Sequence, residues 1–356
     1  MDFGLFYFAN DNEDVSDRYR LLIEGAKFAD THDFASVWTP ERHFHAFGGL
    51  YPNPAVTGAA VAAVTERVAV RAGSVVAPLH HPVRVAEEWS VVDNLSKGRV
   101  GIAFASGWHA ADFLLRPEGY ATRRSGLIDT VKSIRSLWRR EPASYVDGAG
   151  ESVEVTVFPP PVQSELPVWL TSAGNPQTFR EAGEMGAGVL THLLGQGVDV
   201  LEKRIAEYRQ SFRDHHDESE GDGHVALMLH TFIGSDRETV RETVRAPFSK
   251  YLASSFDLVI HAAKAAGENA VALDLNTMTQ SDIDFMVGQA FDRYFRTSGM
   301  FGTVEDALQV CEKLYEIGVD EIACLIDFGV DTDDVLNSLV HLDELRQAWQ
   351  EHERGR

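Results

Sequence analysis

The sequence predicts an α/β chain folded as a (β/α)8 TIM barrel with insertions on its C-terminal face. Two observations carry that expectation. Short uninterrupted apolar runs alternate with helical-period segments from end to end, as in a parallel sheet covered on its outside. Eight such units fit within the 356 residues, the number a closed barrel needs. A third observation weighs against an open doubly wound sheet. The turn after the first run, ANDNEDVSD, has no glycine with which to approach a dinucleotide phosphate.

The strands are read in order. FGLFYF (3–8) precedes a helix whose Leu21, Leu22, Gly25, Ala26, Phe28 and Ala29 share one face. FASVWT (34–39) leads to the small-residue helix PAVTGAAVAAV (54–64). VAVRAGSVVAP (68–78) leads to a helix with Val85, Trp89, Val92 and Leu95 on one side, and RVGIAFAS (99–106) to one carrying Leu127, Val131, Ile134 and Trp138. PVWLTSA (167–173) runs into a helix from Pro176, and GVLTHLL (188–194) into one from about Val198. HVALMLHTFIG (224–234) and EIACLIDF (321–328) complete the set. Three connections exceed what a minimal barrel requires. They are 40–53, 141–165 with its Pro159-Pro160-Pro161 run, and 235–302, in which 262–282 is a candidate lid. The segment 141–165 precedes a strand and is expected on the face opposite the active site. No composition break divides the chain, so 1–356 reads as one domain.

Bulk numbers narrow the function. With 32 basic and 54 acidic residues the formal net charge is −22, and such a field repels nucleic acid and anionic membrane. No run of about 18 apolar residues is present to span a bilayer. MDFGLFYFAN lacks a basic leader and carries Asp2, which favours a buried first strand over a signal peptide. Cys311 and Cys324, the two cysteines, have neither metal-type nor redox-type spacing. A soluble cytoplasmic protein is expected.

In a barrel of this kind the chemistry gathers at the C-terminal strand ends. Those ends carry Glu41, Arg42, His43 and His45; Gly73 and Ser74, then His80 and His81; Ser106, Trp108 and His109; Thr171, Ser172, Gly174 and Asn175; Thr191 and His192; His230; and Asp327. In TSAGNPQTF (171–179), Asn175 is a good N-cap and Pro176 suits the first helical position. The turn reads equally as an anion site on a helix N-terminus or as a well-capped turn. A zinc hydrolase reading would use His43, His45, His192 and Asp327. The His-x-His pair, however, follows the second strand, and the fifth offers only Thr171 and Ser172.

Taken together, several segments carry a resemblance. FGLFYF, FASVWTPERHFHAFGGLYPNP, LHHPVRVAEEWSVVDNLSKGRV, GIAFASGWHAADF and PVWLTSAGNPQTFREAGEMGAGVLTHLLGQ resemble the bacterial luciferase-like flavin monooxygenases, over essentially the whole chain. RHFHAFGGLYPNPAV, FASGWH, SAGNP, LTHLLGQ and IACLIDFGVD are closest to the subgroup associated with polyketide and nonribosomal-peptide biosynthesis. The resemblance implies FMN bound at the C-terminal face and delivered already reduced by a separate NAD(P)H-flavin reductase. Its reaction with O2 would give a flavin C4a-peroxide that oxygenates an organic substrate. Ser172, Ala173, Gly174 and Asn175 match the family's phosphate turn, and Gly73-Ser74 matches its non-proline cis peptide under the flavin ring. Ser106 stands where luciferase proper has an arginine near the phosphate. These residues and His192 are the cofactor-binding candidates; no metal is implied.

Arg42 stands where luciferase proper has its catalytic histidine, and His43 keeps a family histidine. Arginine does not release its proton near neutral pH. Arg42 is therefore expected to stabilise negative charge and His43 to move protons. Phe6, Trp38, Phe44, Phe104 and Trp108 are expected to shield the mouth from water. The substrate would be a small biosynthetic intermediate, free or bound to a carrier protein, with Arg116, Arg123 and Arg124 as candidate docking residues. Homodimers are implied, with 54–64 as a candidate packing helix. The competing readings are a metal-dependent hydrolase and a non-catalytic flavin-binding protein of the same fold.

Overall fold

The computed structural model describes residues 1–8, 16–194, 196–217, 219, 221–265 and 280–355. The chain opens with β1 (Asp2–Tyr7), α1 (Arg20–Thr31), β2 (Ser36–Thr39) and α2 (Pro54–Val64). β3 (Ala69–Val76), α3 (Pro82–Ser96), β4 (Val100–Ala105) and α4 (Leu127–Trp138) follow. After a hairpin of β5 (Ala143–Val146) and β6 (Ser152–Val155) come β7 (Val168–Ser172), α5 (Pro176–Glu184), β8 (Gly188–His192) and α6 (Val198–His215). β9 (Val225–Ile233) precedes α7 (Arg237–Ala265), α8 (Gln280–Arg293), β10 (Met300–Gly302) and α9 (Val304–Glu316). β11 (Glu321–Asp327) and α10 (Thr332–Gly355) close the chain.

β9, β11, β1, β2, β3, β4, β7 and β8 pair in that order, all parallel, and β8 pairs back onto β9. The result is the closed eight-stranded (β/α)8 barrel that the sequence predicts. Nearly every residue of β1, β2, β4, β9 and β11 is buried, which is why these strands read as unbroken apolar runs. Among the described residues no helix is long and apolar enough to cross a membrane.

The lower barrel is filled by a paired charge. Glu321, fully buried, accepts hydrogen bonds from the Trp38 indole at 2.8 Å, from Ser36 and from Arg71. The Arg71 guanidinium lies between the rings of Trp38 and Trp169, 4.9 and 4.6 Å from their centroids. Removing Arg71 would leave the buried Glu321 carboxylate without its arginine, held only by Ser36, Trp38 and the nearby His224, an outcome that costs several kcal/mol. Trp38, expected to shield the mouth, belongs to this layer instead, and Phe6 and Phe104 are likewise core.

Three further features depart from the sequence reading. The stretch 141–165 folds as the β5–β6 hairpin and climbs the outer helices, so that Tyr145 packs 5.1 Å from His81 at the start of α3. Its tail is tied along α3, with Asp93 accepting from the Val162 and Gln163 amides. Leu95, placed on the buried face of α3, is 49% exposed. The short strand β10 extends the sheet beside β9. The candidate lid, 262–282, lies largely outside the described residues.

Candidate active site

The loop after β2 is shaped by its own backbone. Arg42 N–H donates to Tyr51 O at 2.9 Å, and Asn53 caps α2 by accepting from Ala55 and Val56 N–H. This closes Glu41 to Tyr51 into a wall beside the end of β3. Glu41 is buried at its centre. One carboxylate oxygen accepts from His43 Nε2 at 2.7 Å and from His80 Nε2 at 2.6 Å, and the other accepts from Val76 N–H at 2.7 Å. Burial opposes ionisation of Glu41, but these hydrogen bonds outweigh it and hold the carboxyl below its ordinary range. Burial would likewise depress His80, yet its bond to Glu41 raises it above the ordinary imidazole value.

Arg42 points into a different network. Its Nη1 donates to Asp112 Oδ2 at 2.5 Å, and Trp108 covers the guanidinium 5.4 Å away. Asp112 comes from the loop after β4, and His109 Nδ1 lies 3.5 Å from its other oxygen. Arg42 is only 3% exposed, and its Nε and Nη2 have no hydrogen-bond partner among the described residues. Phe44 and Trp108, at 61% and 49% exposed, stand on the rim above.

The upper barrel is open. Ala105, Thr171 and His192 sit at strand ends, Met228 lies level with His192 in β9, and each keeps partial exposure, unlike the sealed layer below. Gly73–Ser74 is a cis peptide, and the register of β3 shifts between Gly73 and Val75. A Cβ on Gly73 would lie 2.6 Å from the Phe6 ring, so only glycine fits there. Ser74 Oγ pairs with Thr171 Oγ1 at 2.5 Å, joining β3 to β7 over the end of β4. Ser106, half-buried, begins the loop after β4.

Beyond β7, Ser172 Oγ accepts from Gly174 and Asn175 N–H at 3.3 and 3.1 Å, and Asn175 caps α5 by accepting from Gln177 N–H. Ala173 and Asn175 face solvent. Gly174, at φ +102°, faces Gln196, whose buried Oε1 has no partner among the described residues. Gln196 also donates to His192 O at 2.7 Å. His192 accepts from Leu194 N–H, and burial lowers its pKa to about 4. His230, buried among Phe248, Tyr251, Tyr294 and Phe328, is lowered to about 3, by burial first and the neighbouring His192 second. Both rings are therefore neutral near pH 7.

Asp327, at the end of β11, is 8% exposed and accepts from Tyr51 Oη at 2.9 Å. Burial pushes its carboxyl up to about 7. The four residues of the zinc reading are thus dispersed. His43 is held by Glu41, His45 Nδ1 accepts from Phe47 N–H, and His192 and Asp327 have separate partners. Among the described residues no three histidine, cysteine or acidic side chains converge as a metal site. The sequence reading left out Asp112 and Gln196 as site residues. Asp112 lies 70 positions from Arg42, a pairing no local pattern reveals; Gln196 had a signal in the LTHLLGQ motif.

Fold and strand ends together define a (β/α)8 barrel whose C-terminal rim carries polar, partly exposed side chains. Residues 1–321 match the luciferase-like monooxygenase profile, and the chain belongs to that family. It is 26% identical over 243 residues to the oxygenase component of the flavin-dependent trigonelline monooxygenase of Acinetobacter baylyi. The match spans 67% of this chain and 66% of that relative, just under two thirds of its length. Among solved structures, the monooxygenase RslO1 of Streptomyces bottropensis superposes with a TM-score of 0.77 at 21% identity, covering 97% of this chain and 98% of its own. The oxygenating constituent of 3,6-diketocamphane monooxygenase from the CAM plasmid of Pseudomonas putida, in complex with FMN, gives 0.69 at 18%, covering 97% and 95%. Other structures of the same fold are F420-dependent. At these identities the structural likeness shows the fold.

Proposed function

We propose that the protein is the oxygenase component of a two-component monooxygenase, using reduced FMN from a separate NAD(P)H-flavin reductase and O2 to oxygenate an organic biosynthetic intermediate. The observation that carries this reading is the open upper barrel. Residues at its strand ends keep partial exposure, Ser74 and Thr171 meet there, and Arg42 and Gln196, on the loops after β2 and β8, carry buried polar atoms without partners among the described residues. A planar ring with polar edges suits such a setting. When bound, reduced FMN supplies the two electrons that activate O2.

The residues divide the remaining tasks. The Ser172–Asn175 turn, at the positive end of α5, would receive the phosphate, with Ser106 beside it. Gly73, Ser74 and Thr171 would lie against the ring, and His192, neutral, would offer a hydrogen bond without adding charge. Glu41 orients His43 for proton transfer, and through the shared carboxylate oxygen connects it to His80. Arg42, charged near neutral pH, would stabilise negative charge on a group bound beside it. Phe44 and Trp108 on the rim would limit water entry.

A homodimer is part of the proposal. α2 shows solvent an apolar face of Val56, Ala60, Ala63 and Val64, next to the exposed Val91 and Leu95 of α3. An outward helix with no polar stripe suits a covered surface. A carrier-bound substrate would dock through exposed arginines near the mouth. Arg116 reaches His80 O and Arg123 bonds Tyr120 O, while Arg124 alone of the three is fully turned to solvent. The cytoplasm, where a reductase can supply flavin, is the expected location.

The test is anaerobic calorimetry with reduced FMN and, in parallel, with reduced F420. One equivalent of FMN bound more tightly than F420 is expected. Preference for F420, or stoichiometric zinc in a protein with no affinity for flavin, would refute the reading.

A further inference from the structure

We infer that the free edge of Arg42 is the anchor for a substrate carboxylate, so that the preferred substrates are organic acids bound through two parallel hydrogen bonds. This rests on the proposed monooxygenase reading and adds the substrate class to it.

The guanidinium is fixed on every side but one. Its backbone N–H is tied to Tyr51 O, and Gly48 abuts the side-chain stem so closely that a Cβ there would sit 2.9 Å from Cγ. Asp112 occupies Nη1, and the Trp108 ring covers the face. What remains is the Nε–H and Nη2–H pair, which point the same way and lack partners among the described residues, although the side chain is 3% exposed. Buried donors without acceptors are rare and unfavourable. Two parallel N–H groups match the two oxygens of a carboxylate, a geometry that lysine cannot copy.

Electrostatics agrees. Burial lowers the Arg42 pKa, and the attraction of Asp112 compensates only in part. Burial also raises Asp112, whose Oδ1 makes no hydrogen bond among the described residues. The pair is therefore under-solvated, and a second anion against the unpartnered Nε–Nη2 edge would relieve the guanidinium. Trp108, half-exposed over the guanidinium face, would offer an aromatic surface to the body of the same molecule.

The experiment titrates the flavin-free protein with benzoate and with benzamide, a neutral compound of the same shape, by calorimetry. Inorganic phosphate serves as the non-planar anion. Benzoate is expected to bind one to one, at least tenfold more tightly than either of the others. Arg42→Lys, which keeps the charge and removes the fork, should weaken benzoate at least tenfold. The double variant Arg42→Gln with Asp112→Asn, which leaves no buried charge behind, should do the same with an unchanged circular dichroism spectrum. No benzoate binding, equal binding of benzamide or phosphate, or full affinity in Arg42→Lys would overturn the inference. FMN is titrated into the same variants. If FMN affinity falls with Arg42→Lys and FMN displaces benzoate, the edge belongs to the cofactor. The carboxylate inference is then wrong while the functional reading stands. A parent protein that binds no FMN defeats the functional reading, whatever benzoate does.

Discussion

Asp327→Asn should make the protein more stable, increasingly so as the pH rises. The carboxyl is buried at the end of β11, accepts a hydrogen bond from Tyr51, and has no cation beside it among the described residues. A group that ordinarily titrates at 3.8 is held neutral until about 7, a difference worth about 4 kcal/mol at most. The sign follows from proton counting. Between these values the folded chain binds the proton and the unfolded chain does not, so the contribution to stability is full below about pH 4 and is lost as the pH climbs through 7. Asparagine keeps the shape and can still accept from Tyr51, but never ionises. Of the 4 kcal/mol, roughly 1.5 is already lost near pH 5, so the advantage of the variant should grow by about 2.5 kcal/mol between pH 5 and pH 8. Paired urea titrations of parent and variant at the two pH values measure this, since all other titrating groups cancel in the difference. An advantage that is constant with pH would refute the reasoning. So would one that shrinks.

Gly73→Ala should destabilise the fold by about 2 kcal/mol, because its Cβ meets the Phe6 ring at 2.6 Å; urea unfolding measures the loss, and adding Phe6→Leu should recover part of it. Glu41→Gln should lower the His80 pKa, since burial remains while the carboxylate that holds the proton is gone. Proton NMR of the ring follows this shift, and an unchanged titration would contradict the assigned cause. In the parent, the stability His80 adds is present below the ordinary 6.5 and fades as pH rises through the elevated value. Replacing Val56 by Lys together with Leu95 by Glu should convert a dimer into a folded monomer by light scattering; a monomeric parent would remove the dimer proposal.

The barrel was legible because its strands are buried on both faces, and continuous apolar runs such as EIACLIDF advertise that environment directly. Helix starts were equally plain where capping is local, as at Asn53-Pro54 and Asn175-Pro176. What the sequence hid was set by contacts distant along the chain. Trp38 sits in a run that looks like any other, and only Arg71 and Glu321, brought in from β3 and β11, make it part of a lower charged layer. Arg42 was recognisable as a departure from the luciferase pattern, but Asp112, which takes one of its donors, is on another loop. The β5–β6 hairpin escaped because alternating polar strands on an outer surface lack the apolar signal that marked the barrel. Leu95 followed the helical period and still faces outward, where a second subunit would explain it better than the core does.

The most direct test of the central claim mixes the anaerobic complex of protein and reduced FMN with oxygenated buffer in a stopped-flow spectrometer. If the upper barrel holds the flavin and excludes water from it, the oxidised-flavin spectrum should return many times more slowly than with free reduced FMN, and His43→Ala should change that delay. Return at the free-flavin rate, with all O2 released as hydrogen peroxide, would contradict the account.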